Sequence, residues 1–120
     1  MPHVRIEHTD NIHTTDITGL FKSVQNILIK FADIKAENCK SRAIPLNNFH
    51  IESSNKKVGF VHLEINILEG RSEKIKNNIG EKSLKVLKSY FIDNMLGYSI
   101  QCSIEIREIK RSDYFTTNEI

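Results

Sequence analysis

Proline stands second in the chain, directly behind Met1. Methionine aminopeptidases remove an initiator methionine when the next side chain is small, and the mature chain would then begin Pro-His-Val-Arg-Ile. A proline in first place is a secondary amine with no preceding amide, so its nitrogen carries a lone pair and can take up a proton. The reference pKa of an α-amine is about 7.7–8.0, and burial or a neighbouring cation disfavours the protonated form and lowers it. A base tuned near working pH is what proton abstraction beside a carbonyl requires. Pro2 is therefore the first candidate for chemistry. Lys40 and Arg42 are the next, two apart in a segment with strand character, so both side chains leave one face. They suit either an anionic ligand or a cross-strand ion pair.

Other chemistries find little support. His3, His8, His13, His50 and His62 are scattered, without metal-ligand spacing. His62 alternates with apolar neighbours and reads as a satisfied sheet-face histidine. Cys39 and Cys102 are too few and too far apart for a disulfide framework or a metal cluster, and each is expected to act as a small apolar strand residue. No nucleophile–base pair, phosphate-cradling glycine loop or paired catalytic carboxylate stands out. The net charge of +2 is too small to imply a polyanionic partner. Lys74, Lys76, Lys82, Lys85 and Lys88 interleave with apolar residues and lack stacking aromatics, so they read as a solvated helix face, not a nucleic-acid surface. No apolar run is long enough to span a bilayer and no signal peptide is expected, since His3 and Arg5 come at once. Membrane association is not expected, and the expected compartment is cytoplasmic.

The elements that would position these residues follow from periodicity. At 120 residues, 39% hydrophobic and 27% charged, the chain has the size and composition of a single domain. Residues 3–8 alternate, with Val4 and Ile6 on one face and Arg5 and Glu7 on the other, predicting a half-buried strand. Asp16 is a good N-cap, and Ile17, Leu20, Phe21, Val24, Ile27, Leu28 and Phe31 predict a helix ending near Phe31. A second strand is expected from Cys39 to Leu46, with Pro45 favouring a strand end or sheet edge. Residues 47–57 read as a loop, or a loop with a short extra strand. Val58 to Leu68 alternates cleanly as a third strand. Ser72 caps a second helix expected to reach about Met95, with a stripe of Ile75, Ile79, Leu84, Leu87, Phe91 and Met95. The last strand is Ser99 to Ile109, with Ile100, Cys102, Ile104 and Ile106 on its apolar face.

The expected fold is thus α+β: β-α-β repeats over 2–46 and 58–109, and a tail over 110–120, disordered or laid over a partner. Right-handed crossovers place both helices on one face of a four-stranded sheet. The other face carries Arg5, Glu7, Lys40, Arg42, His62, Glu64, Glu105 and Arg107, suited to cross-strand ion pairs. A sheet covered on one side only, with strands this rich in Ile and Val, suggests trimer or hexamer formation.

Taken together, Met1-Pro2-His3, Asp10-Asn11-Ile12, Gly19-Leu20-Phe21, Phe60-Val61-His62 and Gly70-Arg71-Ser72 resemble the 5-carboxymethyl-2-hydroxymuconate isomerase family of the tautomerase superfamily. The resemblance runs from Pro2 to about Glu108. It implies a symmetric homotrimer with a free N-terminal proline in a pocket between subunits, moving a proton within an unsaturated hydroxy or keto dicarboxylate from aromatic-compound breakdown. It implies no metal or organic cofactor. It also implies that Pro2 is the catalytic base and that Arg71, which matches the family's active-site arginine, binds a substrate carboxylate. Lys40 stands where the family tends to have arginine, which opens a carboxylate-binding role for Lys40 or for Arg42. Two alternatives remain: hydration or dehalogenation, with Glu7 or Glu105 activating water, and a non-catalytic oligomeric binding protein on the same fold.

Overall fold

The computed structural model describes residues 1–93 and 95–117. Its elements are β1 (His3–Thr9), α1 (Ile17–Ala32), β2 (Lys40–Leu46), β3 (Val58–Leu68), α2 (Glu73–Leu87) and β4 (Ser99–Ile109). The four strands form one sheet in the order β2-β1-β3-β4. β1 and β2 run parallel, as do β3 and β4, while β1 and β3 meet antiparallel at the centre. Each parallel pair flanks one helix, so the expected pair of β-α-β units is present, joined back to front.

Both helices start at side-chain caps. Asp16 Oδ1 accepts from the Gly19 N–H at 2.9 Å, and Ser72 Oγ accepts from the Ile75 N–H at 3.2 Å. Their apolar faces share one core with the sheet. Val4, Ile6, Val61, Leu63, Ile65 and Ile67 come from the strands, and Leu20, Val24, Leu28, Ile79, Leu87 and Phe91 from the helical layer. β2 is an edge strand, where Pro45 costs no ladder bond to a further strand.

Several expectations need correction. The second strand begins at Lys40; Cys39 instead closes a short 3₁₀ turn, its N–H donating to Ala36 O. The second α-helix ends at Leu87 and continues as one wider turn over Lys88–Ile92, short of Met95; Asn94 lies outside the described residues. Leu84 is not a core residue: it is 42% exposed, and Ser83 is buried in its stead. The step from Ile79 to Leu87 passes through Ser83 at four-residue spacing, which turns Leu84 outward. It joins Gly80, Cys102, Ile104 and Ile106 around an open groove of about 480 Å³ between α2 and β4. The tail is not wholly disordered, for its first residues are ordered against the chain's own start. A short turn at Arg111–Asp113 brings Tyr114 back to His3 of the same chain, while residues 118–120 lie outside the described part.

The open face is polar as expected, but its shortest ion pairs run along a strand as well as across the sheet. Arg5 pairs with Glu7 at 2.9 Å, and Arg107 bonds Glu105 at 2.8 Å and approaches Glu64 at 3.6 Å. His62 is satisfied at both nitrogens, by Ser103 at 2.7 Å and Glu105 at 3.1 Å. The bonds from Arg107 and then His62 hold the Glu105 carboxyl below its ordinary value. These groups are partly solvated, so each pair adds little stability.

Two stability predictions follow from the packing. A Cβ at Gly59, on buried β3, would lie 2.7 Å from Thr9 Oγ1 and 2.8 Å from Ile12 Cγ2. Gly59→Ala is expected to destabilise the fold by about 1–3 kcal/mol, read by urea unfolding. Burial pushes the Cys102 thiol from 9.0 up to about 11. Its folded pKa is raised, so the neutral thiol's contribution is complete below about 9 and is lost as pH rises through about 11. Unfolding free energy should fall across that window, and Cys102→Ala should flatten part of the decline.

Candidate active site

The sheet topology decides which residues share an end. β1 and β2 run parallel and both begin at one end; β3 runs antiparallel to β1 and finishes there, and β4 finishes beside β3. Pro2, Lys40, Arg71 and Arg111, which follow or precede these strand ends, are therefore neighbours in space despite their separation in sequence. Pro2 is buried and continues the inward alternation of Val4 and Ile6. Its carbonyl accepts from the Lys40 N–H at 3.1 Å, tying the starts of β1 and β2 together. With Met1 in place its ring nitrogen is an amide and holds no basic lone pair.

Arg71 reaches this end by way of a turn. Gly70 adopts φ 124°, a conformation that favours glycine, and the Glu69 N–H bonds Ile109 O at 3.0 Å. The half-buried Arg71 guanidinium then donates from Nη1 to Leu68 O and from Nη2 to Ala32 O, each at 3.1 Å. Ala32 ends α1, where carbonyls lack partners and carry partial negative charge, so Arg71 also closes that helix. Extension of the β1/β3 register, in which His3 faces Asn66, puts Leu68 across from residue 1. Arg71 thus lies against the start of the chain with N–H groups to spare, since a guanidinium carries five.

Lys40 and Arg42 are placed differently. In register they face His3 and Arg5, on the open side of the sheet, whereas Ser41 and Ala43 share the side of Val4 and Ile6. Lys40 Nζ donates to Asn38 O at 3.3 Å, and Arg42 Nη1 donates to His3 Nδ1 at 2.9 Å. Within one chain, then, Pro2 and Arg71 sit toward the helices while Lys40 and Arg42 flank the same sheet end from the other face. The His3 side chain, in register with Lys40, leaves the sheet on the face opposite Pro2.

Sequence reasoning missed two residues here. Arg111 Nη2 lies 3.9 Å from where a Gly70 Cβ would be, adding a cation to this end. Tyr114 hydrogen-bonds His3 at 3.2 Å. A lone tyrosine in a polar tail carries no periodic signal, so neither propensity nor pattern pointed to it. Cys39 also borders the site: burial raises its thiol pKa, against the opposing pull of the N-terminal charge and Lys40.

A buried proline at the start of a central strand, an arginine returning to it from the strand-to-helix corner, and two β-α-β units joined antiparallel define the tautomerase fold. A fused 4-OT that is a symmetric trimer shares this fold with TM-score 0.75 at 11% identity, over 98% of this chain and 94% of that one. A 5-carboxymethyl-2-hydroxymuconate isomerase from Deinococcus radiodurans R1 superimposes with TM-score 0.85 at 29% identity, over 98% of this chain and 89% of that one. In sequence, the 5-carboxymethyl-2-hydroxymuconate Delta-isomerase of Escherichia coli is 26% identical over 121 aligned positions, covering 100% of this chain and 96% of its own length. The family pattern of 5-carboxymethyl-2-hydroxymuconate isomerase matches residues 2–120. The chain belongs to that family, and it is an isomerase.

Proposed function

We propose that this isomerase moves a proton within unsaturated 2-hydroxy or 2-keto dicarboxylates of the 5-carboxymethyl-2-hydroxymuconate type, during aromatic-compound breakdown. Pro2, freed of Met1, is the base. Its nitrogen takes the proton from the enol hydroxyl as the O–H electron pair becomes the carbonyl π bond. The conjugated double bond shifts, and the same proton is delivered to a distant carbon. One O–H bond breaks, one C–H bond forms, and nothing is oxidised or reduced. Base, proton and counter-charge all come from the chain and its substrate, so the step calls on no metal or organic cofactor.

The cations supply the rest. Arg71 binds a substrate carboxylate through the donors its two backbone carbonyls leave open, a charge-assisted pairing that a planar fork makes bidentate. Lys40 and Arg42 take the far carboxylate from the open face. Their positive charge, with Arg111, disfavours a protonated Pro2 and so lowers the pKa of the amine toward neutrality. The observation that carries this reading is the gathering of Pro2 and four cations at one end of the sheet from widely separated segments. Hydration or dehalogenation is less well served, because Glu7 is bonded to Arg5, and Glu105 to His62 and Arg107.

A homotrimer accords with the unshielded edges β2 and β4, the groove beside exposed Leu84, and the fold shared with a symmetric trimer. Sedimentation at working concentration should give three times the chain mass; a monomer would remove the shared-pocket part of the proposal. A cytoplasmic location accords with small acid substrates and with two free thiols. Among the described residues, no helix is long and apolar enough to cross a membrane.

The direct test is ketonisation measured over a panel of hydroxymuconates and aryl enolpyruvates, with an α-halo keto acid as label. Diacids should be preferred, and the label should land on Pro2. Labelling elsewhere, or none, would sink the assignment of the base.

A further inference from the structure

Two hydrogen bonds join three distant segments beside Pro2. Arg42 Nη1 donates to His3 Nδ1 at 2.9 Å, and His3 Nε2 lies 3.2 Å from the Tyr114 hydroxyl oxygen. A guanidinium has donors only, so His3 Nδ1 meets it with a lone pair and the ring proton sits on Nε2. Nε2–H then donates to the Tyr114 oxygen. The two rings meet edge-on, with centroids 6.2 Å apart and planes at 64°. The turn at Arg111–Asp113 delivers Tyr114 to this position, its own N–H bonding back to Arg111 O.

The chain of contacts has a consequence for Arg42. In register this residue faces Arg5, two positions further along β2 than Lys40. An exposed arginine there is free to extend into solvent, away from the sheet end. Its bond to the His3 ring holds the guanidinium at residue 3, which follows Pro2 in the chain, and uses one of its five N–H groups. Pro2 precedes β1 at the sheet end that Lys40 and Arg42 flank from the open face.

We infer that Tyr114, acting through His3, is a positioning residue that aims the Arg42 guanidinium at the second carboxylate of a diacid bound at Pro2. The inference rests on the function proposed above, but it concerns which acids are held, not whether a proton is moved. Tyr114 touches neither base nor reacting carbon; its role is selectivity for two carboxylates over one.

The test compares muconate with sorbate, which share one diene skeleton and differ by a carboxylate, in calorimetric titrations of the full chain. Wild type should bind muconate more tightly. Tyr114→Phe removes the Tyr114 hydroxyl from His3 Nε2 and should weaken muconate by about three- to tenfold, the worth of one hydrogen bond, while leaving sorbate unchanged. His3→Asn should restore the wild-type ratio, because Asn Oδ1 can accept from Arg42 without help from Tyr114. Adding Tyr114→Phe to His3→Asn should then cost nothing further. Equal weakening of both acids by Tyr114→Phe, no change in either, or equal binding of both acids by wild type would each overturn the inference. Binding needs no turnover. A chain that binds in this pattern yet isomerises nothing would refute Pro2 as the base and leave the positioning role standing.

Discussion

Protein that keeps Met1 is expected to be nearly inactive, and activity across preparations should track the fraction of chains that begin at Pro2. The cause is electronic. In the retained form the proline nitrogen is an amide whose lone pair is delocalised into the carbonyl, and no base remains at that position. Removing a positioned general base costs about 10²–10⁴-fold in rate. Intact-mass spectrometry gives the processed fraction and ketonisation kinetics give the rate. Activity indifferent to processing would mean that another group moves the proton. The same amine sets the pH profile. Only the unprotonated nitrogen accepts a proton, so kcat/KM should rise with pH through the amine's pKa and level off above it. Burial and the positive charge at this end of the sheet both disfavour the protonated amine and act to lower that pKa.

Arg71→Ala is expected to do two things at once, because the guanidinium has two duties. It should raise KM for a dicarboxylate by roughly ten- to hundredfold, the range for a hydrogen bond to a charged group, and affect an uncharged enol far less. It should also lower stability by about 2–4 kcal/mol, since Ala32 O and Leu68 O both lose their donor at the close of α1 and the end of β3. Arg71→Lys separates the duties. It keeps the charge but reaches only one carbonyl at a time and cannot present a planar fork. Its stability should fall between wild type and alanine, with KM for the diacid still raised several-fold. Equal effects on charged and uncharged substrates would reduce Arg71 to a structural clamp.

Much of this molecule was legible before folding. Alternation along residues 3–8, 58–68 and 99–109 marked three strands, and helical spacing with Asp16 and Ser72 at the starts marked two helices. These signals are local: an amphipathic face repeats every two or every three to four residues whatever the element packs against. Pro2 was legible for a covalent reason, its place behind the initiator methionine. Arg71 was found through family resemblance, since a corner arginine by itself is unremarkable.

The tertiary structure decided how those parts meet. Nothing in the alternation of β1 and β3 says that they pair antiparallel, yet that pairing brings Leu68 and Arg71 to the start of the chain. The pleat then sorted the cations, leaving Lys40 and Arg42 on the open face while Pro2 continued the buried one. Helix phase placed Ser83 inward and Leu84 outward, because burial follows the face a neighbour covers and not the polarity of each residue. Tyr114 reached His3 only because β4 ends where β1 begins. Composition and spacing settle the elements through interactions within a few residues. Pairing, register and the closing of a chain end on its beginning are long-range, and they set the geometry of the site.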